Sequence, residues 1–319
     1  MQKIYEVLDK LPQELKLVIS KISKENLAEL EEICLRVNSP LCVSAYSRVY
    51  FVLEDGSLSS FPTDESLIIT KQQIKECFKK CCNYSIHSYE REIRNGYITI
   101  NGGHRVGICG EAIYDGDNLR TIDNISSLNI RIAREIGCGA KALFDLMPIY
   151  SVGGFIIAGR AKTGKTTLLR SVAKYLSSGE NGFFKKLAIV DERCELTAMY
   201  QGEPQVKIGE CCDVLSGFKK SDGISIAIRT LSPDYIVCDE ISLDEEIEAV
   251  YRGVNSGANI ITTVHAKNLD EFISKPFAKK LIQTNAFSAV VFLDEEEKGR
   301  LKEVIYMDRL MPLFSKEEK

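Results

Sequence analysis

The sequence predicts two modules: an α/β unit with a mainly parallel sheet and a phosphate-binding loop, preceded by an α+β unit. Three observations carry the prediction. Beyond about Ile136, short apolar runs rich in β-branched residues alternate with long helical patterns, as parallel strands covered on both faces do. Before that point short helices and alternating strands are mixed without such a rhythm. The octapeptide Gly159-Arg160-Ala161-Lys162-Thr163-Gly164-Lys165-Thr166 stands between an apolar run and a strong helix. At 319 residues the chain has the length of about two domains, and the change of pattern divides it into 1–134 and 135–319.

In the first module, apolar spacing predicts a helix over 11–23, and 32–37 reads as a strand stopped by Asn38-Ser39-Pro40. Thr70 suits the N-cap of a helix running to about Cys82. Another helix starts at Ser85 and stops at Asn95-Gly96, where left-handed backbone is tolerated. Tyr97-Ile98-Thr99-Ile100, the turn Asn101-Gly102-Gly103 and the run from Arg105 to Ile113 predict a hairpin. The turn Asp115-Gly116-Asp117 then leads to the alternating strand Leu128-Asn129-Ile130-Arg131-Ile132.

In the second module, apolar runs predict strands over 154–158, 187–190, 235–238, 259–263 and 289–293, with a helix over 166–176. The charge run Glu295-Glu296-Glu297-Lys298 reads as a solvated hairpin turn, and there is neither an internal repeat nor a low-complexity stretch.

Composition narrows the function classes. Lys and Arg number 41 against 45 Asp and Glu, a net charge of −4, so the chain-wide basic footprint of a nucleic-acid binder is absent. With 45% apolar and 27% charged residues the composition is that of a globular protein. No apolar run approaches the ~18 residues needed to span a bilayer, and Met1-Gln2-Lys3-Ile4-Tyr5-Glu6 lacks the core of a secretion signal, which sets a cytoplasmic expectation. The 11 cysteines are odd in number, have no C-x-x-C spacing and have only 3 histidines to join them. They read as reduced, small apolar side chains and not as a disulfide framework or a zinc site. Asn124-Ile125-Ser126 has the form of a glycosylation sequon, which carries no meaning in such a compartment.

Residues 159–166 fit G-x-x-x-x-G-K-[ST] at every fixed position. The glycines allow backbone N–H groups to turn inward around phosphates at the positive end of the following helix. Lys165 adds a charge for the β- and γ-phosphates, the Thr166 hydroxyl suits Mg²⁺, and the arrangement predicts binding of a nucleoside triphosphate with Mg²⁺. The cofactor-binding set is Gly159, Arg160, Ala161, Lys162, Thr163, Gly164, Lys165, Thr166 and Thr167. Such a loop needs an acidic strand end to hold the metal. Tyr235-Ile236-Val237-Cys238-Asp239-Glu240 supplies it, with Asp239 in the Mg²⁺ shell and Glu240 polarising the attacking water. A second acidic strand end, Asp191-Glu192-Arg193 with Glu195 behind it, and His265 past a third strand converge on the same carboxyl edge. Arg229, six residues before Tyr235, is a weaker catalytic candidate beside Lys165, Glu192, Glu240 and His265.

This ordered set resembles the secretion and type IV pilus family of RecA-like hexameric ATPases. The residues that carry the resemblance are Gly159 to Thr166, Asp191 to Glu195, Arg229-Thr230-Leu231-Ser232-Pro233-Asp234 leading to Glu240, and Thr263-Val264-His265-Ala266. It is closer still to the member of that family found in endospore-forming bacteria. The signatures there extend to Gly96-Tyr97-Ile98-Thr99, Gly102-Gly103-His104-Arg105-Val106-Gly107 and Leu128-Asn129-Ile130-Arg131-Ile132-Ala133-Arg134-Glu135. One departure is the loop, where the family usually reads Gly-Pro-Pro-Gly-x-Gly-Lys-Thr-Thr. Here Arg160 and Lys162 place two extra cations beside the phosphates, which bears on turnover. Asp239 replaces a more usual glycine and restores a metal-binding acid.

The resemblance implies a RecA-like fold for 135–319 and ATP hydrolysis to ADP and phosphate with ATP and Mg²⁺. It also implies a homo-oligomer, a hexamer, docked on a protein component of the membrane-spanning channel between mother cell and forespore. The expected location is the mother-cell cytoplasm, peripheral to the membrane through that partner, with no direct insertion and no nucleic acid. In such relatives arginines of the first domain touch the neighbouring subunit's nucleotide, and Arg105, Arg131 and Arg134 stand at comparable places. Two alternatives are a nucleic-acid-associated RecA-like ATPase, against which stand the acidic balance and the absence of Trp, and an ATP-gated scaffold with little turnover.

Overall fold

A helix forms stably where side chains satisfy its first backbone N–H groups, and Thr70 does this twice over. Its hydroxyl accepts from Gln73 N (3.2 Å), while the Gln73 side chain accepts from Thr70 N (2.9 Å). The helix that follows buries Ile74, Cys77, Phe78 and Cys81 on one face. The computed structural model describes residues 2–46, 48–133, 139–147, 153–180 and 182–314. The chain divides into two compact units, Met1–Glu135 with Ala198–Gln205, and Ile136–Thr197 with Val206–Lys319. The short return of 198–205 to the first unit is invisible in the sequence pattern.

The first unit runs α1 (Gln2–Leu8), α2 (Gln13–Ile19), α3 (Lys24–Glu29), β1 (Leu30–Arg36), β2 (Cys42–Ala45), β3 (Arg48–Val52), β4 (Leu58–Ser59), α4 (Lys71–Cys81), α5 (Glu90–Arg94), β5 (Tyr97–Ile100), β6 (His104–Asp115) and β7 (Asn118–Arg131). Its sheet, in the order β4-β3-β2-β1-β7-β6-β5, is antiparallel throughout. Alternation sends Ile33, Leu35, Ile98, Val106, Leu128 and Ile130 into one core with Leu8, Leu15, Ile74 and Phe78 of the helices. The opposite face places Glu32, Arg131 and Arg105 directly across from one another on β1, β7 and β6. Beyond the sheet β6 and β7 pair only with each other, from Glu111↔Asp123 to Asp115↔Asn118, as a two-stranded arm. Residues 198–205 lie against this unit, where Gln205 accepts from Gly102 N (2.8 Å) and the Tyr200 hydroxyl accepts from the Asn83 amide.

The second unit runs α6 (Ala140–Leu146), β8 (Gly154–Ala158), α7 (Lys165–Ser177), β9 (Leu187–Asp191), β10 (Cys212–Ser216), α8 (Lys220–Thr230), β11 (Tyr235–Cys238), α9 (Asp244–Asn255), β12 (Asn259–Val264), α10 (Leu269–Ile273), α11 (Pro276–Gln283), β13 (Phe287–Leu293), β14 (Leu301–Tyr306) and α12 (Met307–Phe314). The sheet order is β10-β9-β11-β12-β8-β13-β14. Every neighbouring pair is parallel except β13 with β14. Both faces are covered, which is why β8, β9 and β11 are buried along their whole length and read as continuous apolar runs. Ile156, Val190, Ile236 and Ile260 pack against α8, α9 and α11, and Phe155, Ile157, Ile189 and Val237 against α6 and α7. Among the described residues the cysteines are free thiols, with Cys77, Cys81 and Cys82 buried together in the first core.

Candidate active site

Strand order assembles the site. β9, β11, β12 and β8 are adjacent and parallel, so the residues that follow them reach one carboxyl edge. Glu192 follows β9, Asp239 and Glu240 follow β11, His265 follows β12, and the loop 159–164 follows β8. The Thr262 hydroxyl on β12 donates to Asp239 O (3.0 Å) and fixes the start of the acidic turn.

The loop is closed by its own side chains. Thr163 Oγ1 donates to Arg160 O (2.9 Å), and Lys162 takes φ +68° so that the backbone turns sharply. Gly164, the N-cap of α7, has φ +100°, and a Cβ there would stand 2.9 Å from the backbone N of Gly299. Both facts demand glycine. His265 Nε2 accepts from Ala161 N (3.0 Å), so the histidine grips the loop from the neighbouring strand. Lys165 Nζ donates to Gly159 O (2.7 Å) and Arg160 O (2.8 Å). Burial lowers its pKa, with Glu240 acting in the opposite sense. The turn between β13 and β14 is docked here and is not merely solvated: Gly299 N donates to Thr163 O (2.8 Å), and Glu295 pairs with Arg160 (3.2 Å). One of the loop's two extra cations is thereby matched by a carboxylate.

The acidic side of the site is organised by Lys220, at the start of α8 and only 6% exposed. Its Nζ lies 3.0 Å from Glu246, 3.5 Å from Glu192 and 3.5 Å from Asp239, and donates to Glu240 O at 2.8 Å. Burial opposes its charge, but Asp239, Glu246 and Glu192 outweigh that and raise its pKa. Asp239 is pushed up to about 6, chiefly by burial, with Lys220 pulling the other way. Its Oδ1 is buried without a hydrogen-bond partner. This carboxylate oxygen, in ion-pair contact with Lys220 but accepting no hydrogen bond, and the Thr166 hydroxyl at the second residue of α7 are donors of the hard-oxygen kind that Mg²⁺ takes. Asp191 has a different part: fully buried, it accepts from the N–H groups of Glu195, Leu196 and Thr197 and from the Thr197 hydroxyl, shaping the loop after β9. Arg170 of α7 secures that loop from below through the carbonyls of Glu195 and Leu196.

Lys165, Glu192, Asp239, Glu240, His265 and the loop 159–167 thus share one edge. Arg229 does not join them within this chain. α8 starts beside Glu240 and runs back to the opposite edge, where Arg229 Nε donates to Ser225 O of its own helix (3.2 Å). In the first unit Arg105 stacks over the Tyr97 ring (3.6 Å to the centroid), and Arg131 pairs loosely with Glu32 (3.4 Å). Arg134 lies outside the described residues. Lys220, Glu246 and Arg170 went unread in the sequence. The one local signal was a lysine in the first turn of a helix, where the dipole disfavours a cation unless carboxylates offset it.

The fold, with the glycine-bounded loop 159–164 between β8 and α7, is like that of solved secretion and pilus ATPases. The structure matches the ATPase DotB of Legionella pneumophila with a TM-score of 0.58 and 13% identity, over 96% of this chain and 82% of that one. It matches the pilus retraction motor PilT with bound ADP at 0.58 and 14% identity, over 92% of this chain and 88% of PilT. At such identities the likeness is one of fold. The sequence matches the family described as "Sporulation stage III, protein AA" over residues 1–311, and the chain belongs to that family. It is 32% identical over 283 residues to Stage III sporulation protein AA of Bacillus subtilis (strain 168), with 88% of each chain covered.

Proposed function

We propose that this chain hydrolyses ATP to ADP and phosphate and energises assembly of, or transport by, a membrane-spanning sporulation channel between mother cell and forespore. The observation that supports this most is the shared carboxyl edge, where the loop 159–166, Asp239, Glu240 and His265 follow adjacent parallel strands. In this reading the loop N–H groups and Lys165 receive the β- and γ-phosphates, with Thr167 beside them on α7. Thr166 and Asp239 hold Mg²⁺, whose charge offsets that of the phosphates. Glu240 orients and deprotonates the attacking water. Glu192, paired with Lys220 at 3.5 Å, keeps the acidic turn in register. His265, bonded to Ala161 N, reports loss of the γ-phosphate through the loop.

The catalytic unit in this proposal begins near residue 135. It works in a ring of identical subunits, a hexamer, in the mother-cell cytoplasm. No helix among the described residues is long and apolar enough to cross a membrane, so recruitment goes through a protein component of the channel. Glu240→Gln tests the chemistry: nucleotide binding persists while turnover falls by about 10² or more, the scale of a lost base. Near-normal turnover in that variant removes the assignment. Turnover unaffected by single-stranded DNA is expected, and stimulation by it would favour a nucleic-acid-associated ATPase.

A further inference from the structure

The first unit carries a groove that the nucleotide chemistry leaves unused. It lies between α4 and the β6–β7 arm and measures about 410 Å³, the size of an ordinary binding cleft. Its floor is apolar, formed by Phe78 of α4, Ile93 of α5, and Ile113 and Ile122 of the arm. Ile113 remains 40% exposed there. One lip is basic. Lys71, Lys75 and Lys79 follow at i, i+4 and i+8 along α4, all three exposed, and among the described residues none of them forms an ion pair. The one carboxylate nearby on that helix, Glu76, turns to Lys80 instead (3.9 Å). The other lip is acidic, with Asp123 beside Asn124, whose amide is bonded to Glu111 (2.7 Å).

We propose that this groove docks an amphipathic helix of a protein partner, acidic along one edge and apolar on the face it buries. An apolar trough flanked by charge is the form that receives a helix through residues at i, i+3, i+4 and i+7. The lysine row covers about 12 Å, or two helical turns at ~1.5 Å per residue, which matches carboxylates spaced four apart on a helix lying alongside α4. The opposed lips fix the sense of the fit, because a helix can turn its acidic edge to α4 and keep carboxylates away from Asp123. An anionic bilayer cannot: it meets Asp123 and Glu111 together with the lysines, and its surface is broad where this site is concave. This proposal gives a surface to the partner recruitment proposed above. It stands on the first unit's geometry alone, so peptide binding and ATP turnover fail separately.

The test is fluorescence anisotropy of the full chain with two designed amphipathic helices of about 20 residues, long enough to be helical in solution. They share a leucine face and differ in carrying Glu or Lys along one edge. Wild-type protein is expected to bind the Glu peptide at least about tenfold more tightly than the Lys peptide. The triple variant Lys71→Glu, Lys75→Glu, Lys79→Glu should reverse that preference with unchanged melting temperature and ATP turnover. Ile113→Asp, on the exposed arm, should weaken the Glu peptide about fivefold or more while leaving every lysine in place. Equal binding of both peptides, or a preference that survives the triple variant, overturns the proposal. So does flotation with phosphatidylglycerol vesicles that the triple variant abolishes without any peptide preference, which assigns the surface to the membrane.

Discussion

At the scale of single residues the acidic edge is a balance around one ammonium group. Lys220 faces Glu192, Asp239 and Glu246 from a buried position, so Lys220→Met leaves three carboxylates confronting one another. Removing one partner from a buried ionic cluster costs about 3–5 kcal/mol, and urea unfolding should show a loss of that size, partly recovered by adding Glu246→Gln. A loss below about 1 kcal/mol would mean that solvent screens the cluster. Asp239 supplies the pH dependence. It titrates near 3.8 in the unfolded chain and near 6 in the fold, so between those values the folded protein holds the extra proton. This group therefore stabilises the fold less as pH rises from 4 to 6 and imposes above that a penalty of about 3 kcal/mol. Asp239→Asn should make the Mg²⁺-free protein more stable than wild type at pH 8, with the difference vanishing near pH 4. A difference constant across that range contradicts the assignment. The placement of Lys165 and Asp239 at one sheet edge was legible because each sits in a contiguous motif. Lys220 was not, since its partners come from the ends of β9 and β11 and the first turn of α9, which only folding brings together.

At the scale of elements, the sequence shows what is buried on both sides and hides what is buried on one. β8, β9, β11, β12 and β13 appear as apolar runs because helices cover both faces. The edge strand β10 (Cys212-Asp213-Val214-Leu215-Ser216) has no fully buried residue and so leaves no run to read. β2, β3 and β4 are short and lie toward the other sheet's edge. β7 spans 14 residues where only 128–132 alternates cleanly, because its first half forms the arm, where no residue is fully buried. The helix expected over 11–23 is shorter, α2 at Gln13–Ile19, because Ser23 begins α3 by accepting from Asn26 N. The β13–β14 turn shows how an element read as solvent-facing acquires a task. Asp294 accepts from the N–H groups of Glu296 and Glu297, which holds its carboxyl below the usual range and stiffens the turn that carries Glu295 to Arg160. The ion pair is half exposed and contributes about 0.5 kcal/mol or less to stability, but it withholds a guanidinium from the loop. Glu295→Ala should leave the unfolding midpoint nearly unchanged and tighten ATP about two- to fivefold as Arg160 turns to the phosphates. Unchanged or weaker binding in a fluorescent-nucleotide titration would show that Arg160 does not reach them.

At the scale of the whole molecule, the proposed hydrolysis would develop more transition-state charge on the phosphoryl group than Lys165 and one Mg²⁺ offset, and an arginine supplied from another subunit is a known remedy. Arg229 is unsuited to help within its own chain, since α8 carries it to the far edge of the sheet. The first unit has candidates instead. Arg105 and Arg131 are direct cross-strand partners on the sheet face opposite the core, so they present two guanidinium groups side by side. Arg105 is braced against the Tyr97 ring, and Arg131 is 75% exposed with only a 3.4 Å contact to Glu32. Such a pair suits an anion brought to it by another copy of the chain. Under this arrangement turnover per subunit rises steeply with protein concentration, because a lone chain has no complete site. Arg105→Ala and Arg131→Ala should each lower turnover by about 10² or more with nucleotide binding and melting temperature retained, the scale of a lost trans arginine. Mixing either with inactive Lys165→Ala protein should restore part of the activity, since mixed rings contain some sites with an intact loop from one subunit and an intact arginine from the next. Mixtures that stay inactive, or specific activity that is flat down to concentrations where the protein is monomeric, would return Arg105 and Arg131 to the role of surface charge.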